Sequence, residues 1–169
     1  MAMHVKCFTL YAEFDANKCP ISPLSESSSK VEDLLTLRIK SAFAEIPAAS
    51  EAASRWLADR NAPPAAEYLA NLAIEELVTN CVKYGYDDSA EHIIEIEFKI
   101  SAGELIITVT DDGHPFNPLE LPDRDTNLPL EDLPIGGLGI HLLRKMCDQM
   151  DYSHIGGKNR LTLRKALPG

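Results

Sequence analysis

The sequence lacks the features that place a protein in a membrane or carry it across one. None of its apolar runs approaches the ~20 residues that a membrane-spanning helix needs. The opening segment, residues 1–6, has no long apolar stretch ahead of a small-residue cleavage site, so no signal peptide is expected. These absences predict a cytoplasmic protein.

Positive charge is also scarce. The 169 residues contain 16 Lys and Arg against 26 Asp and Glu, which gives a formal net charge of −10. A nucleic-acid-binding surface needs a basic footprint, and electrostatic attachment to an anionic membrane needs the same. Both functions are therefore unexpected, whereas a protein partner with a basic face is compatible with this charge.

Cysteines are few and none are closely paired. The four residues Cys7, Cys19, Cys81 and Cys147 form no C-x-x-C motif. A zinc knuckle is therefore not expected, and reduced thiols are expected in a cytosolic chain.

The composition changes near residue 31. Pro20, Pro23 and the serine-rich run 25–30 are typical of a linker. We predict that residues 1–31 form a partly disordered N-terminal extension and that residues 32–169 form one domain. With 45% hydrophobic residues, the chain can bury a core of ordinary size.

Hydrophobic periodicity in residues 32–169 predicts alternating helices and strands. The fold class is α+β, a two-layer α/β sandwich whose mostly antiparallel sheet is covered by helices. Strands are expected at 35–39, 92–100 and 105–111, with a hairpin turn at 101–104 and a strand pair within 153–167. Helices are expected at 48–60, 65–84 and 140–150, and a long loop at 115–135.

Two polar residues interrupt the apolar face of the second predicted helix. Glu76 and Asn80 are four residues apart and share a face beside Leu69 and Ala73, whereas Glu75 points to the polar side. Polar groups at the edge of a core are costly unless they are paired. They indicate either a functional site or a helix edge whose Glu reaches water.

Asp111 ends a strand whose inward residues are Leu105, Ile107 and Val109. Period-two alternation gives its carboxylate the same inward direction, and a buried carboxylate needs a donor. The amine of an adenine is one such donor, and Gly113 would let a ligand approach the backbone. A capped turn at the strand end is the alternative, since Asp-Asp-Gly is common in turns.

Four residues, Gly136-Gly137-Leu138-Gly139, precede an amphipathic helix. Glycines at the start of a helix expose N–H groups to an anion, and the helix dipole assists. The run is not a P-loop, because no Lys-Ser/Thr follows the last glycine. It also follows no strand, as a dinucleotide fingerprint would require. A phosphate site and a flexible hinge both remain open.

Taken in order, the three motifs resemble the ATP site of the histidine-kinase-like (GHKL) superfamily. Glu76-Leu77-Val78-Thr79-Asn80 resembles its N box, and Asp111-Asp112-Gly113 and Gly137-Leu138-Gly139-Ile140 resemble its two glycine boxes. The resemblance covers residues 33–167 and implies a Bergerat-type ATP-binding fold. It implies that Glu76 is the general base, Asn80 holds Mg²⁺, Asp111 binds the adenine amine, and the backbone at 137 and 139 holds phosphates. It also assigns to the nucleotide site Lys83, Gly113, Phe116, Gly136, Leu138 and Ile140.

The segments 76–86, 111–118 and 136–140 resemble the bacterial anti-sigma-factor serine-protein kinases in particular. That likeness implies an ATP-dependent kinase that binds a sigma factor or other regulator and phosphorylates a small antagonist protein, with a homodimer as an open possibility. It also implies that loop 115–135 is a mobile lid. Two positions depart from the family pattern: Tyr84 stands where many relatives carry His, and Asn159 takes the place of a Thr expected beside the adenine.

Two other functions stay open. A nucleotide-gated binding module would sequester a partner without phosphorylating it. A sensor histidine kinase fragment would need a phosphoacceptor His on a helix before Glu76, and none of the five histidines lies on such a helix.

Overall fold

The computed structural model describes residues 33–122 and 138–168. The predicted extension at 1–31, the glycines at 136 and 137, and residues 123–135 of the predicted lid lie outside the described residues. The elements in chain order are β1 Asp33–Lys40, α1 Ile46–Ala58, α2 Pro64–Tyr84, β2 Ile93–Ser101, β3 Glu104–Asp111, α3 Leu138–Met146, β4 Gln149–Ile155 and β5 Lys158–Ala166. Two short 3₁₀ turns occupy Phe43–Glu45 and Pro118–Glu120.

The five strands form one sheet in the order β1-β2-β3-β5-β4, and every neighbouring pair is antiparallel. Two tight hairpins, β2-β3 and β4-β5, make up four of the strands. Each hairpin turn has two central residues with positive φ, namely Ala102 and Gly103 in the first and Gly156 and Gly157 in the second. Such turns match the natural twist of paired strands. The predicted α+β class and antiparallel sheet are thus confirmed.

The core lies between the helices and one face of the sheet. Alternate residues of β2 and β3, such as Ile96, Phe98 and Ile107, are fully buried against residues of α1 and α2 such as Leu57 and Ile74. The opposite face of the sheet carries ion pairs, so it is the solvated one. No helix in the described part of the chain is long and apolar enough to cross a membrane.

The last predicted helix was too long. It was expected over 140–150, but α3 ends at Met146 and β4 begins at Gln149. The physical reason is Asp148, whose backbone N–H donates to Arg164 O and whose carboxylate accepts from the N–H of Ala166 and the Lys165 ammonium. These contacts with β5 turn the chain into the sheet four residues early.

Tyr84, the residue that replaces a His of the resembled family, is 71% exposed. It is the last residue of the helix, which is capped by Gly85, and it lines a cavity.

Candidate functional site

A cavity of about 510 Å³ opens beside the C-terminal half of α2. This volume falls in the range of ~300–1,000 Å³ that small-molecule pockets occupy. Its lining comes from α2, the end of β3 and the loop after it, α3, β4 and β5. The lining residues are Leu77, Asn80, Cys81, Tyr84, Gly85, Val109, Asp111, His114, Pro115, Phe116, Pro118, Leu121, Ile140, Tyr152, Asn159 and Leu161.

The polar end of the cavity centres on Asp111, at the end of β3. Its Oδ1 accepts hydrogen bonds from the Gly113 N–H at 2.8 Å and from Asn159 Nδ2 at 2.9 Å. A side chain at Gly113 is excluded, because a Cβ there would lie 2.6 Å from Gly85 O and 2.9 Å from Asp111 Oδ1. The glycine therefore lets the loop close tightly over the end of α2, where His114 N–H donates to Gly85 O.

Cys81 forms the wall of the cavity next to Asp111. Burial first, and then the Asp111 charge and the hydrogen bond to that carboxylate, raise the pKa of the thiol far above its ordinary value. The thiol therefore stays protonated. It can act as a weak donor to Asp111 but is a poor nucleophile.

Glu76 and Asn80 lie one turn apart on α2, as the spacing predicted. Glu76 is half-buried and Glu75 is exposed, so the two neighbouring carboxylates face different environments. The Glu76 side chain lies against Gly139, because a Cβ built there would overlap Glu76 Cγ, Cδ and Oε2. The start of α3 thus packs directly onto Glu76, and only glycine leaves room for it.

His92 ties the loop after α2 to the loop after β3. Its Nε2 lies 2.9 Å from Asp88 Oδ1, its Nδ1 lies 3.0 Å from Asp112 Oδ1, and its ring stacks on Tyr86 at 3.8 Å. A neutral imidazole has one N–H, so only the imidazolium can donate to both carboxylates. The hydrogen bond to Asp88, reinforced by Asp112, raises the pKa of His92 above its ordinary value, although desolvation opposes it.

Most of the sequence-predicted site residues come together. Asn80, Asp111, Phe116 and Ile140 line the cavity, and Gly113 shapes the loop beneath it. Glu76 and Gly139 contact each other and do not line the cavity, although the residues that follow them, Leu77 and Ile140, do. Leu138 begins α3 and is half exposed. Lys83 is exposed and does not line the cavity. The predicted glycines at 136 and 137 are not among the described residues.

The sequence-based prediction missed Tyr152 and named Asn159 only as the substitute for an expected Thr beside the adenine. Tyr152 lines the cavity from β4, and its hydroxyl donates to Asn159 Oδ1 at 2.7 Å. It was missed because β4 was expected to begin at 153. The available signal was the alternation of polar Gln149 and Asp151 with apolar Met150 and aromatic Tyr152. In the structure the first two are exposed and the other two are half-buried.

The polar groups of the cavity do not form a cluster of metal ligands in the described part of the chain. Within the described ranges, no group of three His, Cys, Asp or Glu side chains could hold a metal. Mg²⁺ commonly uses one or two protein oxygens and completes its shell with water and substrate phosphates. The amide oxygen of Asn80, at the cavity wall, suits a Mg²⁺ that arrives with the phosphates of its ligand.

Comparison with known proteins agrees with this geometry. A sequence profile of the histidine kinase-like ATPase domain matches residues 39–165. The chain belongs to the histidine kinase-like ATPase family. The matched range contains every residue that lines the cavity, from Leu77 to Leu161, so the cavity is formed by the family's domain.

Individual relatives share about one third of the aligned residues with this chain, over about half of its length. Serine-protein kinase RsbW of Bacillus mycoides (strain KBAB4) is 34% identical over 90 residues, which cover 51% of this chain and 56% of that protein. Serine-protein kinase RsbW of Bacillus cereus (strain ATCC 10987 / NRS 248) is 33% identical over the same shares. The chain thus spans about half the length of the curated relatives it matches.

A solved structure shares the fold. The RsbU and RsbW domains of Rv1364c from Mycobacterium tuberculosis match with a TM-score of 0.54 over 79% of this chain and 32% of that chain. At 16% identity, this likeness concerns the fold alone.

Proposed function

We propose that this histidine kinase-like domain is an ATP-dependent serine/threonine-protein kinase of the anti-sigma-factor type. It would bind a sigma factor or another regulator and phosphorylate a small antagonist protein. The observation that carries the proposal is that Asn80 of α2 and Asp111 of β3 line one cavity, with Glu76 one turn before Asn80 on the same helix. The similarity to proteins named serine-protein kinases supports the same class.

Asp111 is the proposed acceptor for the base. Its carboxylate borders a cavity with apolar walls that include Leu77, Val109 and Leu161. The adenine N6 amine is a donor, and a hydrogen bond to an ionised acceptor is stronger than a neutral one. Guanine presents a carbonyl oxygen at that position and would set two acceptors against each other. The site should therefore select ATP.

Asn80 and the start of α3 are the proposed contacts of the phosphates. The Asn80 amide oxygen would hold the Mg²⁺, whose charge offsets that of the phosphates. The backbone N–H groups that begin α3 would donate to phosphate oxygens, as free N–H groups at helix starts commonly do. Gly139 lies in this first turn and touches Glu76, so the proposed base and the proposed phosphate contacts are neighbours.

Glu76 is the proposed general base. In the transfer, the substrate hydroxyl oxygen bonds to the γ-phosphorus while the bond from that phosphorus to the β,γ-bridging oxygen breaks. The carboxylate of Glu76 accepts the hydroxyl proton, and ADP leaves with the electron pair of the broken bond. Phosphoryl transfer depends mainly on positioning and charge neutralisation, so one placed carboxylate is a sufficient base.

The partners are proposed from family likeness and charge. A net charge of −10 favours partners that present a basic face. Phosphorylation of a small antagonist would then add negative charge to a surface that faces an acidic protein. Such repulsion would release the antagonist and leave the kinase free for its regulator.

The experiment compares Glu76→Gln with Glu75→Gln, a matched control one residue away on the exposed side of α2. Each purified protein is mixed with γ-labelled ATP and a small antagonist-type domain, and label transfer to Ser or Thr is followed. We expect Glu76→Gln to retain ATP but lose about 10²–10⁴-fold of the transfer rate, as removal of a general base does. Glu75→Gln should transfer label at the rate of the unmodified protein.

Two other outcomes of this experiment would contradict the proposed role of Glu76 or the kinase activity itself. Equal rates for the two variants would refute the role of Glu76. If the unmodified protein binds ATP and the antagonist but transfers no label, the chain is a nucleotide-gated binding module instead.

A further inference from the structure

The side chain of Asn159 makes more hydrogen bonds than any other side chain described in the cavity lining. It lies at the start of β5, is only 7% exposed, and is the register partner of Asp111 on β3. Its Nδ2, which carries two N–H donors, lies 2.9 Å from Asp111 Oδ1, 2.9 Å from His114 O and 3.2 Å from Gly113 O, so one N–H is shared between two of these acceptors. One amide group thus holds both the carboxylate and the loop that follows it.

The amide oxygen of Asn159 accepts two hydrogen bonds. Asn159 Oδ1 receives the Tyr152 hydroxyl at 2.7 Å and the Phe116 N–H at 3.4 Å. A flipped amide would turn its oxygen toward three acceptors and its NH₂ toward the Phe116 N–H, which can only donate. The surroundings therefore allow only one orientation of the amide.

We propose that Asn159, locked by Tyr152, is the positioning residue that sets the base specificity of the cavity through Asp111. This inference rests on the proposed binding of ATP at that cavity. Because Gly113 N–H and Asn159 Nδ2 both bind Asp111 Oδ1, they fix the plane of the carboxylate. Recognition of the adenine amine then falls to Oδ2.

Asn159 shapes the cavity wall as well. The loop carbonyls that it binds precede Pro115 and Phe116, which line the cavity, and it also accepts the Phe116 N–H. A threonine at this position, with a single hydroxyl donor, could hold the carboxylate or a loop carbonyl but not both. The asparagine therefore couples the base acceptor to the wall against which the base would rest.

The test measures discrimination between two nucleotides rather than affinity alone. ITP carries a carbonyl oxygen where ATP carries the 6-amine, so the ratio of their dissociation constants reports on Asp111. Calorimetric titrations with Mg·ATP and Mg·ITP would use the full chain, Asn159→Leu, Tyr152→Phe and Arg160→Gln. Arg160 is the matched control, because it is the next residue of β5 and its side chain is exposed.

We expect the unmodified protein and Arg160→Gln to prefer ATP by about tenfold or more, since a site built for a donor rejects analogues that lack it. In Asn159→Leu, the preference should fall to about twofold or less, mainly through weaker ATP binding. Tyr152→Phe removes one hydroxyl and should lie between them. If Asn159→Leu does not fold, as judged by circular dichroism, Tyr152→Phe alone decides.

Two results would overturn the inference while leaving ATP binding intact. One is an equal loss of affinity for ATP and ITP in the variants, which is the mark of a purely structural residue. The other is an unmodified protein that binds ATP and ITP equally well. Failure of the unmodified protein to bind ATP at all would refute the proposed function itself, before any variant is measured.

Discussion

The contact between Gly139 and Glu76 can be tested by adding one methyl group. A Cβ at position 139 would overlap Glu76 Cγ, Cδ and Oε2, so Gly139→Ala forces either the carboxylate or the start of α3 to move. The overlapped atoms belong to a flexible side chain, which makes movement of Glu76 the cheaper response. We therefore expect the variant to fold with its proposed general base displaced.

Two opposing free-energy terms set the stability of Gly139→Ala. Overpacking commonly costs about 1–3 kcal/mol, and a side chain forced off its rotamer costs about 0.5–1.5 kcal/mol. Alanine gains at most ~1 kcal/mol over glycine inside a helix, and less in the first turn, where Gly139 lies. The steric term wins, and we expect a net loss of about 1 kcal/mol in the free energy of unfolding.

A double-mutant cycle isolates the contact. Urea unfolding would be measured for the unmodified chain, Gly139→Ala, Glu76→Ala and the double variant. In the Glu76→Ala background the overlap is gone, so the cost of Gly139→Ala should vanish or become a small gain. A coupling free energy of about 1 kcal/mol or more is expected for such touching residues. The same cost in both backgrounds would refute the reasoning, because the strain would then lie elsewhere.

Three further predictions concern the cavity and its surroundings. Asp111→Asn should weaken ATP binding by about tenfold or more, because a hydrogen bond to a charged group contributes ~1.5–3 kcal/mol; unchanged calorimetric affinity would exclude this acceptor. Asn80→Ala should keep its thermal unfolding temperature but lose about tenfold or more of its Mg·ATP affinity, or ~1.4 kcal/mol; equal ATP affinity with and without Mg²⁺ in the unmodified chain would contradict a metal role. The pKa of His92 is raised above its ordinary value of 6.5 in the folded protein. The contacts of His92 with Asp88 and Asp112 therefore stabilise the fold fully below pH 6.5, and this stabilisation is lost as the pH rises through the folded-state pKa. The urea midpoint of His92→Gln should therefore lie below that of the unmodified chain at pH 6 and converge with it at alkaline pH, and a gap that widens with pH would reverse the assigned sign.

The sequence predicted the elements whose signals are local. The turn residues at 101–104 and 156–157 marked both hairpins, and helical spacing separated half-buried Glu76 from exposed Glu75. The inward direction of Asp111 also followed from alternation along one strand.

Contacts between distant segments could not be predicted in this way. The hydrogen bonds of Asn159 with Asp111 and Tyr152 depend on β5 lying between β3 and β4, which no local pattern encodes. The end of α3 was misplaced for the same reason, since Asp148 leaves the helix to pair with residues of β5. Lys83 lies next to the motif on α2 but is not among the residues that line the cavity, so its role in nucleotide binding stays a prediction.

The order of the strands has a consequence for how the protein folds. Hairpins β2-β3 and β4-β5 each close through two-residue turns, and contacts of that kind form on a timescale of about 1–10 μs. The pairing of β3 with β5 joins the two hairpins across more than forty residues, and closing so long a loop is slow. Asp111 and Asn159 are register partners at the end of this β3-β5 pairing, which we expect to form late. The cavity should therefore be among the last parts to assemble during folding and among the first to open in the native state, so a bound nucleotide would act on the rate of unfolding.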